Sequence, residues 1–187
     1  MKINIRKAKP DEAKVLAEHV ILAMEAIVFS FIGRTSHKEA VAFLSSLISE
    51  KGNQYSYENC HVLEIDGAIV GVAVVYDGSK LYELRLPVAQ KIKELYQRNF
   101  SPEDETAAGE FYIDSIGINP QYQGKGMGSI LLKFLIETYV NQKQKTLGLL
   151  VEKNNPAAKK LYMKLGFKVV GEQTLAGKYL EHLQLHP

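Results

Sequence analysis

Three glycines, Gly124, Gly126 and Gly128, stand in the stretch QYQGKGMGS at residues 121–129, between an apolar β-like run and an amphipathic stretch of helical period. Glycine takes positive φ at little cost and has no Cβ, so the backbone N–H groups of such a turn can converge on one anion. A helix that starts there adds the positive end of its dipole. The chemistry on offer is phosphate binding by the amides of residues 123–129, that is Gln123, Gly124, Lys125, Gly126, Met127, Gly128 and Ser129, with the Lys125 ammonium as a nearby point charge. The spacing is not that of the GxxxxGK(S/T) phosphate loop. Nor does a glycine fingerprint with a ribose-binding acid stand near the N-terminus, so P-loop and dinucleotide chemistry both fall away. The other reactive residue types form no constellation. The 5 histidines have no paired spacing and Cys60 is alone, which leaves no metal site and no intramolecular disulfide. His61, in an apolar run, reads first as a hydrogen-bonded core residue, and Cys60 as packing.

The elements that must position this turn follow from hydrophobic period. Residues 2–7 alternate as a half-buried strand, and Pro10 with Asp11 and Glu12 opens a helix running to about Phe29. Gly33 closes it. Ser36 and Glu39 make a capping box for a second helix to about Ser49. Asp66-Gly67 between two β-rich runs is a hairpin signal, because both turn residues must tolerate positive φ. Residues 77–109 form an elaboration between the third and fourth strands, with helical spacing over residues 87–98 and a polar, acidic tract at 101–109. After the strand that opens at Glu110 come the glycine turn and its helix, a strand at 145–151, a short helix at 156–165, and two strands at 167–172 and about 178–184. The fold class is therefore α/β, a mixed central sheet of about seven strands flanked by helices, in a single domain over residues 1–187.

Two motifs carry a resemblance. Residues 121–126, QYQGKG, match the pattern Gln/Arg-x-x-Gly-x-Gly/Ala at every specified position. Asn155, Ala158, Tyr162, Gly166 and Phe167 match Asn-x-x-Ala-x-x-x-Tyr-x-x-x-Gly-Phe. In this order, separated by a helix and a strand, they resemble the two signatures of the GCN5-related N-acetyltransferase (GNAT) family. The matching regions cover about a third of the chain.

The resemblance implies acetyl-CoA as co-substrate. Its pyrophosphate would lie on the glycine turn, and its pantetheine arm along the backbone of Ile116, Gly117 and Ile118. Asn155 would bond the cofactor or cap its own helix, beside Ala158. The family's tyrosine acid falls on Tyr162. The base is Glu110, from the position where family members with a glutamate base supply it, or Asp114, four residues further along the same face because strand side chains repeat at period two, or a water chain. The implied reaction is direct attack of a primary amine of a small molecule or peptide. A CoA-binding sensor without turnover, or a transferase of another acyl group, is the alternative. Homodimerisation is a further expectation, from the family's habit and the apolar N-terminal helices.

The totals bound the partners. A net charge of +2, with 23 basic residues spread along the chain, gives no nucleic-acid-binding arm, and a lone cysteine fits a reducing, cytoplasmic setting. No run approaches about 18 uninterrupted apolar residues, so no membrane span is expected, and residues 20–32 read as a buried helix. The acids Glu103, Asp104, Glu105, Glu110 and Asp114 would attract a cationic acceptor. The N-terminal helices and the elaboration at 77–109 are the segments expected to close over it.

Overall fold

The computed structural model describes residues 2–187. Seven strands form one sheet in the order β1-β2-β3-β4-β5-β7-β6: β1 (Ile3–Lys7), β2 (Cys60–Ile65), β3 (Ala68–Asp77), β4 (Glu110–Ile118), β5 (Thr146–Glu152), β6 (Lys168–Leu175) and β7 (Lys178–Leu185). Every adjacent pair is antiparallel except β4 and β5. The β2–β3 turn has φ of 50° at Asp66 and 86° at Gly67, the positive values that Asp-Gly accommodates.

Helices cover both faces. α1 (Ala13–Ile32) and α2 (His37–Ile48) bury Leu16, Val20, Phe43 and Leu44 against Val62, Val72 and Val74 of one face. On the other face α4 (Met127–Leu135) buries Leu131, Leu132 and Leu135 against Ala73, Val75 and Ile113, with α5 (Pro156–Lys164) packed alongside. A π-helical continuation, Ile136–Gln142, carries Tyr139 into the same core. The segment Pro10–Ile32 is long and apolar enough to cross a membrane, a property that counting uninterrupted apolar residues overlooks. In this fold Leu16, Ala17, Val20 and Val28 are fully buried within the domain, as in a core helix.

The elaboration differs from its sequence pattern. α3 (Leu81–Tyr96) begins six residues before the expected start and carries Pro87 inside it. Leu81, Leu84, Val88 and Ile92 keep one buried face through the proline at steps of three and four. The carbonyl of Leu84, just before the break, accepts the amide of Gln54 at 3.1 Å. α1 runs three residues beyond its expected end and kinks at Met24, which has φ −141° and ψ 24°.

Two irregularities of β4 shape the molecule. Val74 pairs with Ser115 and Val75 with Ile113, which leaves Asp114 as the extra residue of a β-bulge. Phe111 and Ile113 before it, and Ile116 and Ile118 after it, all pack on the α4 side, so the bulge reverses the odd-even alternation. In addition β4 pairs with β5 only from Glu110↔Thr146 to Ile113↔Leu149. Beyond that point the two parallel strands part.

At Gly117 α1 lies so close to β4 that a Cβ would overlap the His19 carbonyl oxygen. Because the obstacle is backbone, relief requires the helix to lift. Gly117→Ala is expected to destabilise the fold by about 3 kcal/mol, the upper end for overpacking, as read by urea unfolding; a loss under about 1 kcal/mol would show that the approach is not constrained.

Candidate active site

Where β4 and β5 separate, a cleft opens. Its walls include Asp114, Ser115 and Ile116 of β4, Leu150 to Glu152 of β5, and Asn155, Ala158 and Tyr162 of α5. The β4 edge facing this gap has no strand partner beyond Ile113, and its free amides and carbonyls are available to an extended ligand rich in amides. Ile116 lines the cleft. Gly117 instead seats α1, and Ile118 turns into the α4 core while its carbonyl accepts the Gln123 side-chain amide at 2.9 Å.

The glycine turn follows the end of β4. Asn119 opens it: its side chain accepts the Gln121 amide at 3.0 Å and its carbonyl accepts the Tyr122 amide at 2.8 Å. The Gln123 amide donates to Pro120 at 3.3 Å, so this residue, one of those expected to hold phosphate, is engaged within the protein. The free run starts one residue later. Gly124 and Gly126 have φ of 72° and 82°, a conformation that side chains with a Cβ rarely adopt, and nothing stands within 4 Å of the position of a Cβ at either. Ile130 donates to the carbonyl of Gly126 at 3.1 Å, so the amides of Met127, Gly128 and Ser129 belong to the unpaired first turn of α4. Lys125 hangs beside this turn with its ammonium 5.7 Å from the Tyr122 ring centre. The residues present fit an anionic diphosphate.

Tyr162 packs edge-on against Phe167, with ring centres 6.0 Å apart. Burial raises its phenol pKa, which keeps the proton in place at neutral pH, and among the described residues the hydroxyl has no hydrogen-bond partner. Asn155 caps α5, its side chain accepting the Ala158 amide at 3.1 Å, and it also lines the cleft.

The two candidate bases separate. Asp114, projected by the bulge, lines the cleft with Tyr162 and also a second, adjoining cavity beneath α1. Burial first, and then the Glu105 carboxylate, push its carboxyl up to about 8; the Tyr76 hydroxyl opposes this weakly because its one proton is directed at Glu105, 2.9 Å away. Glu110 lies outside both cavities. Its carboxylate accepts Thr106 at 2.6 Å, His182 at 2.9 Å and Gln184 at 2.7 Å, and covers the face of Gly148 so closely that no Cβ would fit there. Glu110 and Asp114 do share a face, opposite Phe111 and Ile113, as regular alternation placed them; they part because Glu110 sits at the strand start among Thr106, His182 and Gln184, while the bulge reverses the alternation only beyond Asp114.

His61 is a core residue, bonded to the Tyr139 hydroxyl at 2.9 Å, and burial lowers its pKa to about 3. Cys60 is buried against the carbonyls of Tyr55 and Ser56, and burial pushes its thiol up to about 12.

The sequence pattern overlooked the shell around Asp114. Arg85, 8% exposed, pairs with Glu105 at 2.5 Å and Asp104 at 2.8 Å. Glu105 also accepts Gln54 at 2.6 Å. Leu175 and Ala176, at the β6–β7 turn, complete the wall. Of the segments expected to close over an acceptor, the elaboration and the second half of α1 line this cavity, while α2 does not.

Residues 34–167 match the model of the acetyltransferase (GNAT) family, and the chain belongs to that family. Over 65 residues, 33% of this chain and 21% of the relative, it is 43% identical to the mycothiol acetyltransferase of Mycobacterium sp. (strain JLS). Over 77 residues, 41% of this chain and 51% of the relative, it is 34% identical to the spermine/spermidine N(1)-acetyltransferase of Bacillus subtilis (strain 168). The matched stretches thus span between a fifth and about half of these curated relatives. Among solved structures, one described as an acetyltransferase superposes with a TM-score of 0.82 at 28% identity over 98% of both chains. An N-acetyltransferase from Staphylococcus aureus Mu50 shares the fold, with a TM-score of 0.83 at 22% identity over 97% of this chain and 100% of that one.

Glu110 generates a test. Burial pushes its carboxyl up, but the bonds from His182, Thr106 and Gln184 together hold it below the ordinary value of 4.5. A depressed carboxyl stabilises the fold above its unfolded pKa, and the contribution is lost as pH falls through the folded value. Glu110→Gln is expected to lower stability by roughly 1–3 kcal/mol at pH 7 and by clearly less near pH 3.5, read by urea unfolding at both. Equal losses at the two pH values would show that the charge is not what matters.

Proposed function

We propose that this protein is an N-acetyltransferase that passes acetyl from acetyl-CoA to a primary amine by direct attack within a ternary complex. The observation that carries the reading is the placement of Asp114 and Tyr162 on the walls of one cleft, at the point where β4 and β5 part. Acetyl-CoA supplies a thioester whose carbonyl carbon an amine can attack. The glycine turn at 124–129 holds its diphosphate, and the free edge of β4 around Ile116 runs beside its amide-rich arm.

Asp114 is the base. It takes a proton from the amine as the new C–N bond forms, and a carboxylate poised near pH 8 in a buried site is basic enough for that task. Tyr162 is the acid. Its phenolic proton goes to the departing sulfur as the C–S bond breaks, leaving an amide and a free thiol. The amine's second proton, borne as ammonium before attack, is released to water. No covalent acetyl-enzyme is needed, and Cys60, the chain's one thiol, is fully buried and protonated. Glu110 supports the site by holding Thr106, and with it the acidic tract, against the sheet.

Three measurements test this. CoA is expected to raise the melting temperature; at 100 times its Kd the gain is about 2.7 kcal/mol, and no shift would remove the cofactor site. Asp114→Asn is expected to lower kcat/KM on the order of 100-fold and to abolish the rise of rate with pH toward about 8, because only the ionised form acts as base. Tyr162→Phe is expected to slow thiol release on the order of tenfold or more; full turnover would remove its acid role.

A further inference from the structure

The cavity adjoining the cleft contains chemistry that selects among amines, and the following rests on the acetyl-transfer reading. Three carboxylates line it: Asp114, Glu105 and Glu103. Two of them are not free to bind a cation. Glu105 is bound by the Arg85 guanidinium at 2.5 Å, by Gln54 at 2.6 Å and by Tyr76 at 2.9 Å, which satisfies its oxygens and neutralises its charge. Glu103 is exposed at the rim, where its side chain meets the Ala176 amide at 3.4 Å and solvent screens it. In the neighbouring cleft Glu152 is paired with Lys178 at 2.5 Å. Asp114 alone faces the interior with no cationic partner.

Arg85, Gln54, Tyr55 and Tyr112 also line it, the Arg85 charge being answered by Glu105 and Asp104, and the wall on the α1 side is apolar. Met24, Ile27 and Phe31 come from the part of α1 at and beyond the kink, Phe100 stacks edge-on against Phe31 with ring centres 4.6 Å apart, and Leu175 closes the side. A bound amine therefore meets one carboxylate without a cationic partner at the cleft end, a mutually paired Arg85 and Glu105 on one wall and hydrocarbon from α1 on the other.

We infer that the acceptor is a monoamine carried on an apolar body, of arylalkylamine type, and that the site discriminates against polyamines. The magnitudes agree. Burying a phenyl group against such walls is worth a factor of about ten to a hundred in binding. A second ammonium at exposed Glu103 gains a factor of about five at most, and one set against Phe31 or Ile27 loses its hydration without a partner.

Titrating the CoA-loaded protein calorimetrically with 2-phenylethylamine and with spermidine tests this without requiring turnover. The expected result is at least tenfold tighter binding of 2-phenylethylamine. Phe31→Ala should cost that amine about tenfold and leave spermidine unchanged, while Ile27→Glu, by adding a second interior carboxylate, should narrow or reverse the preference. The thermal shift with CoA reports that each variant retains its fold. Spermidine binding as tightly or more tightly, or neither amine binding to protein that CoA stabilises, would overturn the inference. Loss of the CoA shift in the unsubstituted protein strikes the acetyl-transfer reading instead, and the two amines are then compared on the protein alone.

Discussion

One unpaired residue governs the centre of this molecule. A strand inserted between two others normally alternates its side chains and keeps both edges hydrogen-bonded. β4 carries Asp114 as an extra residue against β3, and the added local twist accompanies the loss of pairing to β5 just beyond Ile113. The consequences are linked. The reversal of alternation turns Ile116 and Ile118 into the α4 core and leaves Gly117 beneath α1, where only glycine fits. The parted strands expose β4 backbone at the cleft. The bulged residue itself is pointed at the place where the cleft and the inner cavity meet.

Around that point the protein places buried charges, which are unfavourable unless paired. Arg85 answers Glu105 and Asp104, and Gln54 and Tyr76 satisfy what is left of Glu105. The network ties three remote segments together: the loop before β2, helix α3 and the acidic tract before β4. Glu110 fastens the other end of that tract through Thr106 and is itself held by two residues of β7. The acidic tract lining the inner cavity is thus held through Glu105 and Glu110, and the carboxylate left without a cation is the one proposed to act as base.

Much of this was legible in the sequence, and the reason is local. A glycine turn, a helix cap at Asn155 and an Asp-Gly hairpin depend on a few adjacent residues, so Gly124, Gly126 and Tyr162 stand where their spacing put them. Seven strands and the flanking helices follow from period alone. What failed depended on tertiary context. Helix α3 runs through Pro87 because buried leucines on both sides of it hold one face, and Gln123 is engaged by a turn that the motif does not encode. The bulge left a single trace: from Ile113 to Ile116 the apolar step is three residues, where regular alternation requires two; the engagement of Glu110 by Thr106, His182 and Gln184 left none. Arg85 and Glu105 are 20 residues apart in the chain, and nothing in either neighbourhood announces that they meet.

The strand order has a bearing on how the site comes into being. β6 precedes β7 in the chain yet reaches the sheet only through it, since β7 lies between β5 and β6. The insertion of β7 between β5 and β6 leaves β6 as the edge strand of the sheet, with Val169 and Val170 still exposed, 41% and 49%. The same insertion brings His182 and Gln184 to Glu110 and Leu175 and Ala176 to the cavity wall. The glycine turn is formed by contiguous chain, whereas the wall of the inner cavity is complete only with the β6–β7 hairpin in place.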